Sequence, residues 1–214
     1  IVLDDGSTDG TAAVLSAFAG DSRISVVSKR NEGHGPTILR GYRTALSIAD
    51  WVFQVDADDE IPARDFALLW ARREEYDALI GSRRASRRQD VSRWVVSAIS
   101  RLVVRVLYGG RVADVNAPFR LVRSRILAPI VEAIPEDTFA PNLLISGALS
   151  RGRIALTNVP VQHEDRRTGT VSIARFRLLR AAARSLAQTV RSAPAIRRVA
   201  RTLHSSVLDT TEPS

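Results

Sequence analysis

Trp51-Val-Phe-Gln-Val-Asp-Ala-Asp-Asp-Glu60 is the stretch on which the fold turns. Five residues of strand-forming character run straight into a cluster of carboxylates. A strand that ends this way delivers acids to the rim of a sheet, where open α/β sheets bind ligands. Carboxylates two apart on an extended turn can offer oxygens to one hard cation. Mg²⁺ or Mn²⁺ held so takes its other ligands from phosphates and water. The plainer alternative is an acidic loop ahead of a helix, where the dipole favours acids.

Upstream, strand-like runs at 1–4 and 24–28 alternate with helical patterns at 11–19 and 36–49; downstream, a helix over 62–76 precedes a strand over 78–81. Strand–helix alternation predicts an α/β, doubly wound, Rossmann-like sheet, parallel in this half. Each strand ends in polar residues: Asp4-Asp5, Lys29-Arg30-Asn31, Asp56 to Glu60 and Ser82-Arg83-Arg84. Four such clusters are expected along one rim. The second half predicts a helix over 91–108, a strand over 118–123, helices over 124–133 and 142–150, and strand character over 153–163. A helical stretch over 173–203 is expected to break at Pro194, and the polar tail 205–214 to be disordered. The domain reading is 1–172 as one body, 173–204 as a basic amphipathic extension, then the tail.

Composition narrows the class. The 214 residues are 45% apolar and 25% charged, as an ordinary soluble domain is. Cysteine is absent, which excludes disulfides and thiolate chemistry, and three histidines do not suit a histidine-rich zinc site. No apolar run approaches the ~20 residues that span a bilayer, and no signal peptide opens the chain. The net charge of +8 is concentrated: residues 166–208 hold ten arginines and no acid. Lys29 is the one lysine beside thirty arginines. Ile1-Val2-Leu3 enters Asp4 without an initiator methionine, so the chain reads as a piece whose N-terminus lies upstream.

Two further motifs carry chemistry. Asp4-Asp5-Gly-Ser-Thr-Asp-Gly-Thr11 fits a strand–turn–helix junction, and its carboxylates could accept hydrogen bonds from a base or ribose. It also fits the first half of an EF-hand loop, but position twelve is Ser16 and a strand precedes it, which argues against calcium. Asn31-Glu-Gly33-His-Gly35-Pro36 places two glycines before a helix, where backbone can approach a phosphate.

In that order, DDGSTDGT, NEGHGPTILRGY, a strand ending in DADDE, and LIGSR resemble the family 2 inverting glycosyltransferases of the GT-A fold. Asp114-Val-Asn-Ala-Pro-Phe-Arg120-Leu and Val159-Pro-Val-Gln-His-Glu-Asp-Arg-Arg-Thr-Gly169 resemble the dolichyl-phosphate mannosyltransferase and polyprenyl-phosphate glycosyltransferase branch. The resemblance covers roughly residues 1–172. It implies a GT-A sheet that becomes mixed towards the C-terminal half, and metal-dependent transfer from a GDP- or UDP-linked sugar to a polyprenyl phosphate. It implies nucleotide contacts at Asp4, Asp5, Asn31, Gly33 and Gly35, with Arg166 (or Arg167) on the donor phosphates. Mg²⁺ or Mn²⁺ would sit on Asp56 and Asp58, with Glu60 standing where the family often has Gln. Catalytic positions would be Asp58, Arg83 and Asp114; acceptor-phosphate contacts would be Arg83, Arg93, Ser97 and Arg120. Arg93 and Ser97 are four apart, on one helix face.

The sequence departs from the pattern at Ala117-Pro118, where Ser-Gly is common, and at Gly169-Thr-Val-Ser172, which has no lysine. An anionic acceptor needs arginine forks more than a general base. Were the acceptor a sugar hydroxyl, as in polysaccharide assembly, Asp114 or the pair Glu136-Asp137 would be the candidate bases. The arginine-rich apolar segments 91–108 and 173–203 suit an anionic membrane surface, with a core-facing role the alternative for 91–108. The expected location is cytoplasmic, peripheral at the inner face of the membrane. A nucleic-acid-binding reading is disfavoured, because the basic segment lacks interleaved aromatics.

Overall fold

The computed structural model describes residues 1–83, 91–162 and 175–204, with backbone alone for 91–97, 175–179 and 181. The strands are β1 (Val2–Asp4), β2 (Val26–Ser28), β3 (Trp51–Gln54), β4 (Ala78–Arg83), β5 (Arg120–Arg123) and β6 (Leu156–Val161). The helices are α1 (Thr11–Ser16), α2 (His34–Leu46), α3 (Phe66–Trp70), α4 (Val91–Tyr108), α5 (Ser124–Glu132), α6 (Pro141–Arg151) and α7 (Arg175–Thr202).

The class is α/β with a mixed sheet, but the expected parallel array of the first four strands is divided. β1 and β2 pair in parallel as a two-stranded sheet. The other four run in the order β3-β5-β4-β6. Antiparallel β5 wedges between β3 and β4, with Val122 opposite Val52 on one side and Ala78 on the other. β4 and β6 then pair in parallel along the whole of β4. No pattern in the sequence said which neighbours the short β5 would choose, because pairing is decided by tertiary packing.

Alternation along these strands builds two cores. Ala78 and Ile80 of β4 and Val122 of β5 join the core beneath α2, α4, α5, α6 and α7. Leu79, Leu121, Val159 and Val161 point the other way, onto Phe53, Phe66 and Leu69. Phe119 meets Phe53 edge to face at 4.8 Å. α6 is buried along its length, and a Cβ at Gly147 would lie 2.6 Å from the Tyr108 ring, so glycine lets α4 and α6 approach closely.

Three helix expectations are corrected. The pattern over 11–19 is helical only to Ser16 and continues as tight turns, because the segment buries nothing that would hold a longer helix. The helix expected over 62–76 is a short 3₁₀ turn, Ala63–Asp65, then α3, ending at Trp70 in i→i+3 turns. α7 runs through Pro194 without a break. The carbonyl freed there belongs to Val190, which is exposed, as is Pro194, so water can satisfy it. Ala193, Ile196 and Ala200 of α7, with Leu203 just beyond its end, belong to the main core.

Candidate active site

β3 ends at Gln54, and the carboxylate loop follows at once. Tyr42, buried on α2, donates its hydroxyl to Gln54 Oε1 at 2.5 Å, and Gln54 Nε2 reaches Asp56 Oδ1 at 3.5 Å. His34, the first residue of α2, brings Nε2 within 3.9 Å of Asp56 Oδ2. Burial pushes the Asp56 carboxyl above its ordinary pKa and the Asp58 charge adds to the rise, while His34 and Gln54 oppose it. Asp59 turns the loop with φ of 57°, a left-handed conformation that Asp tolerates better than most residues. Asp58 Oδ1 then accepts the Glu60 N–H at 3.3 Å.

Arg83, at the end of β4, faces this loop. It grips Asp114 through Nε at 2.8 Å and Nη2 at 3.3 Å, and its Nη1 lies 3.7 Å from Glu60. Arg83 thus joins the loop after β3 to the segment before β5.

A second cluster lies at the ends of β1 and β2. Asp5 accepts the N–H groups of Glu32 and Gly33, each at 2.9 Å, and an ion pair from Lys29. Lys29 also reaches Glu32 at 3.1 Å, with its side chain only 4% exposed. Burial works against the Asp5 carboxylate, but Lys29 and the backbone donors hold its pKa below the ordinary value. Asp4 is buried and accepts the Ser7 N–H at 3.0 Å. Gly6 needs its φ of 73°, and a Cβ there would lie 2.8 Å from the Asn31 nitrogen. Gly33 (φ 95°) precedes the first residue of α2, so the Asp5 cluster is joined directly to His34, which in turn faces Asp56.

The predicted positions therefore fall into different surroundings. Asp4, Asp5 and Gly33 gather in one cluster with the exposed loop of Asn31. Asp56, Asp58, Glu60, Arg83 and Asp114 gather in the other. Two expectations are corrected. Gly35 offers no room to a ligand: a Cβ there would lie 2.0 Å from the Thr138 carbonyl oxygen and 2.5 Å from that of Phe139, so this glycine serves packing. Arg120 has no exposed surface and donates to protein carbonyls instead of facing an acceptor. Arg93 and Ser97 lie on α4 where the backbone alone is described, and Arg166 and Arg167 lie outside the described residues. Of the alternative bases, Glu136 pairs with Arg43 at 3.0 Å, and Asp137 is exposed. Sequence reasoning gave no role to His34, Tyr42, Gln54 or Lys29. Lys29 alone carried a signal, as the single lysine in an arginine-rich chain.

The donor set fits a divalent cation. Among the described residues no three His, Cys, Asp or Glu side chains stand together as a complete metal cage. Asp56 is instead a half-buried carboxylate whose charge is opposed by burial and by Asp58, and a cation would relieve both. Two carboxylates with open positions suit an ion that takes further ligands from a diphosphate and water.

The strand-end carboxylate loop, the arginine on the next strand and the second acidic cluster at a β–α turn lie on a fold of the GT-A type. Solved structures agree on the fold. Glucosyl-3-phosphoglycerate synthase from Mycobacterium tuberculosis, in complex with Mn²⁺, UDP and glucosyl-3-phosphoglycerate, superposes with a TM-score of 0.61. That match has 20% identity and covers 90% of this chain and 68% of the other. The glycosyl transferase family 2 profile matches residues 1–129, and the chain belongs to that family. Among curated relatives, the undecaprenyl-phosphate 4-deoxy-4-formamido-L-arabinose transferase of Pectobacterium carotovorum is 27% identical over 182 residues. The Yersinia enterocolitica protein of the same name is 25% identical over the same length. Each match covers 84% of this chain and 54% of the relative, so the chain spans about half the length of the curated relatives it matches.

Proposed function

We propose that the chain carries the catalytic domain of an enzyme that transfers a sugar from a nucleoside-diphosphate donor to a polyprenyl phosphate. The observation that carries this reading is the occupation of Asp114 by Arg83. A carboxylate gripped by a guanidinium is a poor general base. An anionic phosphate acceptor needs no base, whereas a sugar hydroxyl does. The names of the undecaprenyl-phosphate relatives point to the same acceptor class.

Asp56 and Asp58 would hold Mg²⁺ or Mn²⁺, the ion supplying neutralisation of charge on the departing diphosphate. Asp4 and Asp5 would receive the base and ribose, and the UDP in the structural neighbour favours uridine. Arg83 would orient the acceptor phosphate, with Arg93, Ser97 and Arg166 as further anion contacts. Glu60, facing Arg83, would steady that guanidinium more than it would ligate metal.

The acceptor also asks for a membrane-facing surface. No helix among the described residues is long and apolar enough to cross a membrane. α4 buries Ser100, Val104 and Tyr108 yet exposes Ile99, Leu102 and Val106, with Arg101 and Arg105 exposed beside them. That pairing suits an interfacial helix at the inner leaflet.

A screen of radiolabelled nucleotide sugars with a short polyprenyl phosphate tests the reading. We expect a lipid-linked sugar as product, its loss in excess chelator, and a fall in turnover on the order of 10² or more in Asp58→Asn. Full activity in chelator, or transfer to sugar hydroxyls alone, would overturn it.

A further inference from the structure

Arg120 occupies an unusual place for a charge. It sits on the central strand β5, between Gln54 of β3 and Ile80 of β4, with no exposed surface. Among the described residues no carboxylate pairs with it. Its donors go instead to the Ala117 carbonyl (Nε at 3.0 Å, Nη2 at 2.5 Å), the Asn142 carbonyl (3.5 Å) and Ser146 Oγ (3.4 Å). The Asp114 and Asp56 charges favour the guanidinium without forming an ion pair with it, yet burial still opposes its charge, a cost that an apolar side chain would avoid.

The targets of those bonds suggest what the charge is for. Ala117 closes the turn 114–117, its N–H bonding to the Asp114 carbonyl at 3.2 Å. Ser146 Oγ, which accepts from Arg120, donates to the Val115 carbonyl in the same turn at 2.8 Å. Asn158 Oδ1 takes the Ala113 N–H at 2.8 Å, and Ser150 Oγ takes the Val112 N–H at 3.2 Å. The segment that carries Asp114 is thus held from below by side chains of β5, α6 and β6.

We propose that Arg120 is a positioning residue: with Ser146 it pins the 114–117 turn from inside the core, so that Asp114 holds Arg83 at the site. The bearing of this on transfer rests on the proposed function; the geometry of the pin does not.

The test has an arm for each. The Nε–Hε NMR resonance of Arg83, identified by its loss in Arg83→Lys, reports the bond to Asp114 without any substrate. In Arg120→Lys and in the milder Ser146→Ala, each checked for folding by circular dichroism, that resonance is expected to move towards free arginine or broaden. An unchanged resonance in either folded variant overturns the proposal. If Arg120→Lys does not fold, Ser146→Ala decides alone. In the transfer assay, kcat should fall roughly 10-fold, as for loss of a supporting contact, with acceptor KM within about 2-fold. Arg120→Lys combined with Asp114→Asn should be no slower than Asp114→Asn alone, since the two act as one unit. A raised acceptor KM with an unmoved Arg83 resonance would instead make Arg120 a direct contact. Absence of any transfer by the unaltered protein would count against the proposed function and leave the resonance arm standing.

Discussion

Lys29 and Asp5 show how a single pair ties the ends of β1 and β2 to the start of α2. Asp5 is held below its ordinary pKa despite burial. The folded state therefore releases that proton more readily than the unfolded chain, and the pair stabilises the fold above about pH 4 and ceases to as pH falls below it. Lys29 is shifted upward, again against burial, so its contribution persists through neutral pH and is lost only at strongly alkaline pH. We expect Asp5→Asn to lower the melting temperature at pH 7, and the gap from the unaltered protein to shrink progressively as pH falls below about 4. Gly35 makes a sharper case. Gly35→Ala must push the Thr138–Phe139 backbone off α2, costing roughly 1–3 kcal/mol in urea denaturation. An unchanged midpoint would show that the loop yields freely.

At the scale of elements, α4 separates two roles that its sequence left superposed. The apolar periodicity over 91–108 was legible, but it could not say which residues faced α6 and α7. The structure assigns Val104 and Tyr108 inward and Leu102 and Val106 outward. Changing both outward residues to Asp should leave stability within about 0.5 kcal/mol per site while weakening binding to anionic vesicles. Equal vesicle binding by the double variant would remove α4 from the membrane-facing reading. Leu149→Ala, in the core on α6, should cost about 2–5 kcal/mol. The carboxylate loop and the DDGS turn were legible because strand ends and glycines punctuate them locally. Arg120 was misread because an arginine that caps carbonyls inside a core has the same letter as one that grips a phosphate. Gly35 was misread because a glycine before a helix looks the same whether a ligand or Thr138 fills the space.

Across the molecule, α7 belongs to the body that carries the site. Gln188 of α7 accepts from the Phe139 N–H at 2.8 Å and donates to the Asp137 carbonyl at 3.2 Å, and that loop lies against Gly35. Tyr108 of α4 donates to the Thr189 carbonyl at 3.1 Å. Arg180, Arg184, Arg191, Arg198 and Arg201 remain exposed. The charge run was visible in the sequence, but the embedded apolar residues Ala193, Ile196 and Ala200 were too dilute among arginines to announce a core face. Removing residues 175–214 should leave a protein that binds a hydrophobic dye and melts without cooperativity; a sharp transition would contradict this.

The division of the strands into a pair and a set of four has a consequence for how the molecule opens. β1 and β2 share three residue pairs, and α1 beside them has no buried residue. β4 is bonded on both sides and lies between two cores. In deuterated water the amides of residues 2–28 should exchange through small openings that leave the rest intact, while those of Leu79 and Ile80 wait for complete unfolding. The protein would then breathe at the end where we propose the nucleotide binds. A bound nucleotide diphosphate sugar should slow exchange there most, long before it alters the protection of the central strand.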